Sequence, residues 1–250
     1  MVTPKEREQV RAEISGFCKR LTLSQNAVKL CEEEGTPKQE EFVCRVFAEE
    51  IESRERNRKT RVLARAGFPV YKTLDGFEPR SVRFPSVTVK EDLYSGTFIS
   101  GKRNLVMYGP VGTGKTHLAV ALGVKACDDG LAVRFFTVTE LVLRLGEAHR
   151  TGTLERLLKD IRKSDLTILD EWGYVPVDRE GSQLLFRVVA DAYETRSLII
   201  TTNLEFSRWG SVFTDDQMAA AMIDRLAHHG HLILFEGTSY RMEHALMKKK

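Results

Sequence analysis

The chain has 250 residues, enough for one α/β domain with a small appendage, and a sizeable core at this length needs no metal or disulfide staple. With 42% hydrophobic residues, 29% charged and 7 prolines, disordered, collagen-like and low-complexity classes are excluded. The formal charge of +3 is matched by the last three residues, Lys248, Lys249 and Lys250, so net charge says little about partners.

Cys18, Cys31, Cys44 and Cys127 form no CxxC pair and no Cys/His zinc spacing, which predicts reduced thiols. The N-terminus lacks an apolar signal core and no stretch approaches the length of a bilayer span; the expected location is the cytoplasm.

In chain order, Thr3-Pro4-Lys5-Glu6 supplies a capping hydroxyl, a proline at the first helical position and a returning carboxylate, so a helix starts there. Val10, Ile14, Phe17 and Leu21 give its apolar stripe. The device returns at Thr36-Pro37-Lys38-Gln39, followed by Phe42, Val43, Val46, Phe47 and Ile51 at helical spacing and by the i,i+4 pairs Glu50/Arg54 and Glu52/Arg56. Basic residues crowd this helix between Arg54 and Arg65 against the single acid Glu55, and Gly67 and Pro69 stop it. Residues 1–66 are therefore expected to be a small helical domain for docking or assembly, and residues 67–250 the main domain.

Residues 67–103, with Pro69, Pro79 and Pro85, read as a linker that becomes the first layer of that domain. Five short apolar runs follow, Leu105 to Tyr108, Ala132 to Val138, Leu166 to Leu169, Leu198 to Thr202 and Leu232 to Phe235, separated by helical patterns. That alternation predicts a five-stranded parallel sheet with helical crossovers, an α/β fold.

After the first run stands Gly109-Pro110-Val111-Gly112-Thr113-Gly114-Lys115-Thr116, the Walker A pattern in its strand–loop–helix context. Glycines let backbone N–H groups close on an anion at a helix start, Lys115 is placed to reach the β- and γ-phosphates, and Thr116 to hold Mg²⁺. The third run ends in Asp170-Glu171, two acids that a buried strand tolerates only against a cation. Asp170 is then the metal residue and Glu171 the base for water, which favours hydrolysis over transfer to a small molecule. The fourth run ends at Asn203, which would project from the same sheet edge toward the water or the γ-phosphate.

In this order, together with Phe68 to Phe77, Leu169 to Gly173, Thr201 to Asn203 and Ile223 to Leu226, these residues resemble the IstB/DnaC-like AAA+ ATPases of the initiator clade, most nearly the IstB branch of insertion-sequence helpers. The resemblance covers almost the whole chain and implies a P-loop NTPase with sheet order 5-1-4-3-2. It also places Phe77 near the adenine and makes Arg225 an arginine finger acting in trans, with Arg208 the competing candidate. Helices over Thr139–Gly146 and Thr153–Lys163 would be the clade's inserted wedge. With 47 residues after Asn203 the helical lid is truncated, and Arg241 becomes a late nucleotide contact.

By the same resemblance, ATP and Mg²⁺ are the cofactors, and the partners are further copies of the chain, duplex DNA and a transposase. Local basic residues, Arg144, Arg150, Arg162, Lys163 and Arg179, are the DNA candidates; with no recognition motif present, contacts would be to phosphates and salt-sensitive. Three alternatives stay open: a replicative helicase loader with the same core, a small-molecule P-loop kinase, and a nucleotide-gated binding module whose hydrolysis is incidental.

Overall fold

A computed structural model describes residues 3–79, 82–213, 215–243 and 247. The chain divides into two compact units, Met1–Arg61 and Val62–Lys250.

The first unit holds helices α1 (Pro4–Leu21) and α2 (Asn26–Glu34) and most of α3 (Pro37–Ala66). The capping expected at Thr3 forms: Glu6 N–H donates to Thr3 Oγ1 at 3.3 Å and Thr3 N–H donates to Glu6 Oε2 at 2.7 Å. Gln39 likewise accepts from Thr36 N–H at 2.9 Å. Ile14, Cys18 and Val28 make the small core, with Val10, Val43 and Phe47 against it. Its polar centre is Glu40, 1% exposed, with Arg7 Nη2 and Arg11 Nη2 each 2.8 Å from Oε1. The Arg7 hydrogen bond, seconded by Arg11, holds the Glu40 carboxyl down to about 2 against the opposing effect of burial. The apolar stripe read on α3 splits, for Ile51 is buried while Phe42 and Val46 are 59% and 45% exposed.

In the second unit the segment read as the domain's first layer holds β1 (Val82–Arg83), α4 (Val87–Ser95), capped by Ser86, and α5 (Thr97–Ser100). Then come β2 (Asn104–Tyr108), α6 (Lys115–Asp128), β3 (Val133–Thr137), α7 (Val138–Arg150), α8 (Leu154–Arg162), β4 (Leu166–Trp172), α9 (Arg179–Ala192) and β5 (Ser197–Thr202). α10 (Trp209–Phe213), α11 (Asp216–His228), β6 (Gly230–Phe235) and α12 (Tyr240–Glu243) complete it.

The sheet has six strands in the order β1-β6-β2-β5-β4-β3, not five. The five parallel strands keep the expected 5-1-4-3-2 order, and β1 adds an antiparallel edge, Val82 opposite Phe235 and Arg83 opposite Leu234. A two-residue strand has no periodicity to betray it, yet it covers an otherwise open edge of β6.

Side chains alternate between two cores. Leu105, Met107, Phe135, Ile168, Ile199 and Ile233 pack with α4, α5 and α6. Phe136, Leu169, Leu198 and Ile200 pack with α7 to α11 on the other face. Helices on both faces bury the parallel strands and leave their carboxyl ends as the open rim on which the site is built.

Candidate nucleotide-binding site

The loop between β2 and α6 is glycine-rich because its backbone has no room to spare. A Cβ at Gly109 would lie 2.1 Å from the Phe235 carbonyl oxygen, and one at Gly112, where φ is +81°, 2.0 Å from Ser239 Oγ. The stretch after β6 therefore lies against the loop, and Tyr240 N–H donates to Gly112 O at 3.1 Å. Thr113 Oγ1 donates to Pro110 O at 2.8 Å, while Val111 stands 48% exposed at the tip. Gly114 caps α6 without a side-chain bond, so the positive helix end stays available to an anion.

Lys115 is only 7% exposed, and its Nζ donates to Gly109 O and Pro110 O, each at 2.6 Å. Burial pulls its pKa down to about 8; Asp170 opposes that and Arg241 adds to it, which puts Arg241 beside the loop. Thr116 Oγ1 donates to Asp170 Oδ1 at 2.9 Å, and Asp170 is 4% exposed.

The two acids diverge because the β4–β5 ladder slips. Leu169 faces Ile200 and Trp172 faces Thr202, so three steps on one strand answer two on the other. Glu171 takes a left-handed φ of +61° and is exposed, a conformation that costs a non-glycine residue roughly 1–2 kcal/mol. Thr201 holds the slip: its hydroxyl donates to Asp170 Oδ1 and accepts Glu171 N–H at 3.1 Å. Thr202 Oγ1 donates to Trp172 O at 2.7 Å and accepts Leu204 N–H at 2.9 Å, fixing the turn that leaves Asn203 exposed on the rim. Tyr174 stands near enough for Glu171 and Arg241 to bear on its hydroxyl, whose pKa burial raises first.

Phe77 reaches the loop, its Cε2 3.2 Å from a Cβ built on Gly114 and its ring 5.5 Å from that of His117. His117 Nε2 is buried with no hydrogen-bond partner among the described residues. Sequence reasoning missed His117, Tyr174 and the bridging role of Thr201; a threonine in a strand is unremarkable until its partner across the ladder is known.

Among the described residues, no contact joins either finger candidate to the loop of its own chain. Arg225 on α11 donates to Ala221 O at 2.9 Å and lies 5.0 Å over the Phe186 ring on α9, while Arg208 is exposed in the turn before α10. Of the basic residues, Arg144 pairs with Glu140 and Arg162 with Asp191 at 2.6 Å; Arg150 and Arg179 are exposed. Lys163 joins Arg65, Arg134, Arg156 and Lys159 in an open groove of about 710 Å³ that holds the one acid Asp160.

This donor set fits a nucleoside triphosphate with a hard divalent ion. Buried Lys115, the positive end of α6 and nearby Arg241 suit polyanionic phosphate, and the hydroxyl–carboxylate pair Thr116/Asp170 suits Mg²⁺, which prefers oxygen. Phe77 and the unpaired nitrogen of His117 offer a flat apolar face with one polar atom beside it. Among the described residues no helix is long and apolar enough to cross a membrane.

Comparison with known proteins agrees. Residues 21–248 match the model of the IstB-like ATP binding protein family. The chain is 37% identical over 203 residues to an insertion sequence IS21 ATP-binding protein of Pseudomonas aeruginosa, covering 81% of this chain and 77% of that one. An insertion sequence IS5376 ATP-binding protein of Geobacillus stearothermophilus is 34% identical, with 84% of each covered. Among solved structures the fold resembles the DnaC helicase loader, TM-score 0.54 at 22% identity over 66% of this chain and 96% of that one. It also resembles AMPPCP-bound DnaA from Aquifex aeolicus, TM-score 0.55 at 20% identity over 70% and 53%. With the phosphate loop, the paired acids and the 5-1-4-3-2 core in place, the chain belongs to the IstB-like ATP binding protein family.

Proposed function

We propose that this protein is a Mg²⁺-dependent ATPase that assembles on duplex DNA in its ATP state and regulates the transposase of an insertion sequence. The observation that carries the chemistry is the divergence of the two acids: Asp170 turned in beneath Thr116, Glu171 turned out to the rim.

Lys115 would leave the Gly109 and Pro110 carbonyls to neutralise the β- and γ-phosphates, while the N–H groups of the loop and of the first turn of α6 cradle them. Thr116 and Asp170 would hold Mg²⁺, whose charge when bound stabilises the triphosphate oxygens. Exposed Glu171 would orient water and take its proton, Asn203 would fix that water or the γ-phosphate, and Arg241 would bind phosphate from the stretch after β6. Arg225, held over Phe186 and away from its own loop, would act on the site of a neighbouring copy, which makes turnover depend on assembly.

The DNA reading is supported by exposed Arg150 and Arg179 and by the groove at Lys163. Arg65 and Arg134 already pair with Asp160, while Arg156, Lys159 and Lys163 form no ion pair among the described residues, so contacts there would be to phosphate and weaken steeply with salt. The insertion-sequence names of relatives at 34–37% identity favour a transposase as client; the DnaC likeness, at 22%, speaks to fold alone.

The test sizes the purified full chain by mass photometry with and without ATP and duplex DNA. Nucleotide-dependent growth on DNA, lost in Lys115→Ala, is expected, and a protein that stays monomeric and indifferent to DNA in every state overturns the reading. Pull-down with an insertion-sequence transposase, against a replicative helicase, decides the client.

A further inference from the structure

Far from the nucleotide rim, at the amino-terminal edge of the sheet, three metal-ligating side chains converge. Glu194 lies in the turn between α9 and β5, His228 is the last residue of α11, and His229 precedes β6. One ligand atom from each lies within 4.8 Å of the other two, and no other such group of His, Cys, Asp and Glu occurs among the described residues. We propose that Glu194, His228 and His229 form a binding site for one divalent transition-metal ion of the zinc class, tying the end of α11 to the turn after α9.

The local bonding suits ligation. His229 Nε2 and Glu194 Oε1 are 3.0 Å apart, close to the roughly 3.4 Å that separates two ligands of a tetrahedral zinc ion with bonds near 2.1 Å. A metal ion there takes the place of the proton the two groups share. His228 Nδ1 lies 2.8 Å from the Tyr193 hydroxyl. With Nδ1–H donating to that oxygen the lone pair sits on Nε2, the arrangement by which an outer partner fixes the tautomer of a metal-bound imidazole. The centroids of the His228 and His229 rings are 4.2 Å apart at 70°, which brings both imidazoles to the one place.

Glu194 holds φ at +56°, a left-handed conformation that sets its carboxylate on His229. Two nitrogens and one carboxylate oxygen select zinc, and less specifically cobalt or nickel, over magnesium or calcium. All three side chains are open enough for an ion to enter from solvent, and the fourth position is left to water. Arg225 sits one turn before His228 on the same helix and packs on α9 through Phe186, so an ion here would brace the helix that carries it.

The test titrates the chelator-stripped full chain, without nucleotide, with Zn²⁺ against a chromophoric competitor, and with Co²⁺ by visible absorption. One ion per chain is expected, with a rise in Tm and a tetrahedral cobalt band. His228→Ala/His229→Ala and, separately, the near-isosteric Glu194→Gln should each weaken binding at least tenfold and lose the band, and Tyr193→Phe should weaken it about tenfold through ring orientation alone. Far-UV dichroism checks that each variant is folded. A wild-type chain that fails to compete at micromolar Zn²⁺, or variants that bind with unchanged stoichiometry and affinity, overturns the proposal. ATP binding should persist in all of them, so this result and that for the nucleotide site stand apart.

Discussion

The Thr201 hydroxyl on β5 donates to the Asp170 carboxylate on β4, and the same oxygen accepts the N–H of Glu171, so one side chain seats both acids of the strand end. Replacing it with an isostere that lacks the oxygen leaves a buried carboxylate one donor short and an amide unpaired. Thr201→Val is therefore expected to cost about 1–3 kcal/mol in urea unfolding and to lower kcat with nucleotide affinity nearly intact. Thr201→Ser, which keeps the hydroxyl, should retain most of both; equal loss in the two variants would tie the effect to packing instead.

Lys115 gives the site a pH dependence of known sign. Its pKa lies at about 8 in the folded chain against an ordinary 10.5, so burying its charge costs stability below about 8, and that cost is relieved as pH rises toward 10.5. Bound triphosphate favours the charged form, so nucleotide binding should take up a proton above pH 8. The Kd for a non-hydrolysable ATP analogue, measured by calorimetry between pH 7 and 9.5, is expected to weaken by up to about tenfold per unit above 8. Lys115→Arg, charged throughout, should show no such slope.

Arg225→Ala should spare ATP binding and reduce turnover by about 10³-fold or more if the guanidinium completes a neighbour's site. Mixed with Glu171→Gln subunits it should regain activity, because each variant contributes an intact half. Steady-state ATPase assays of the mixture across subunit ratios check this, and a purely additive result assigns Arg225 to packing on Phe186.

Glu40 governs the acid stability of the first unit. Its carboxyl is held at about 2 against an ordinary 4.5, so its contribution is full above 4.5 and lost as pH falls from there to about 2. Glu40→Gln leaves Arg7 and Arg11 without their carboxylate and should cost roughly 3 kcal/mol at neutral pH. Hydrogen exchange over residues 4–61 should report it, with ATP binding unaltered.

Local chemistry was legible wherever it sits in consecutive residues. Thr3/Glu6 and Thr36/Gln39 announce their helix starts, Gly109 to Thr116 announces the phosphate loop, and Asp170-Glu171 closes an apolar run. What stayed hidden depends on partners distant in sequence. Val82 and Arg83 pair with β6 about 150 residues later, and α4 and α5 lie in a segment whose prolines and mixed polar residues mark a first layer without placing its helices. Counting cations on α7 and α8 does not reveal that Arg144 and Arg162 already face Glu140 and Asp191. The helical period on α3 names five apolar residues without saying that Phe42 and Val46 face outward.

The fit of Gly109 beneath the Phe235 carbonyl has a bearing on how the protein is made. The phosphate loop follows the second strand, yet the wall that shapes it belongs to the last, and β2 lies between β5 and β6. On the ribosome, a chain that has emerged only through β5 leaves one edge of β2 bare and the loop without its wall. Translation must pass Phe235 before Gly109 meets the carbonyl it packs beneath, so a fragment that ends upstream carries the whole Gly109 to Thr116 motif without the wall behind it.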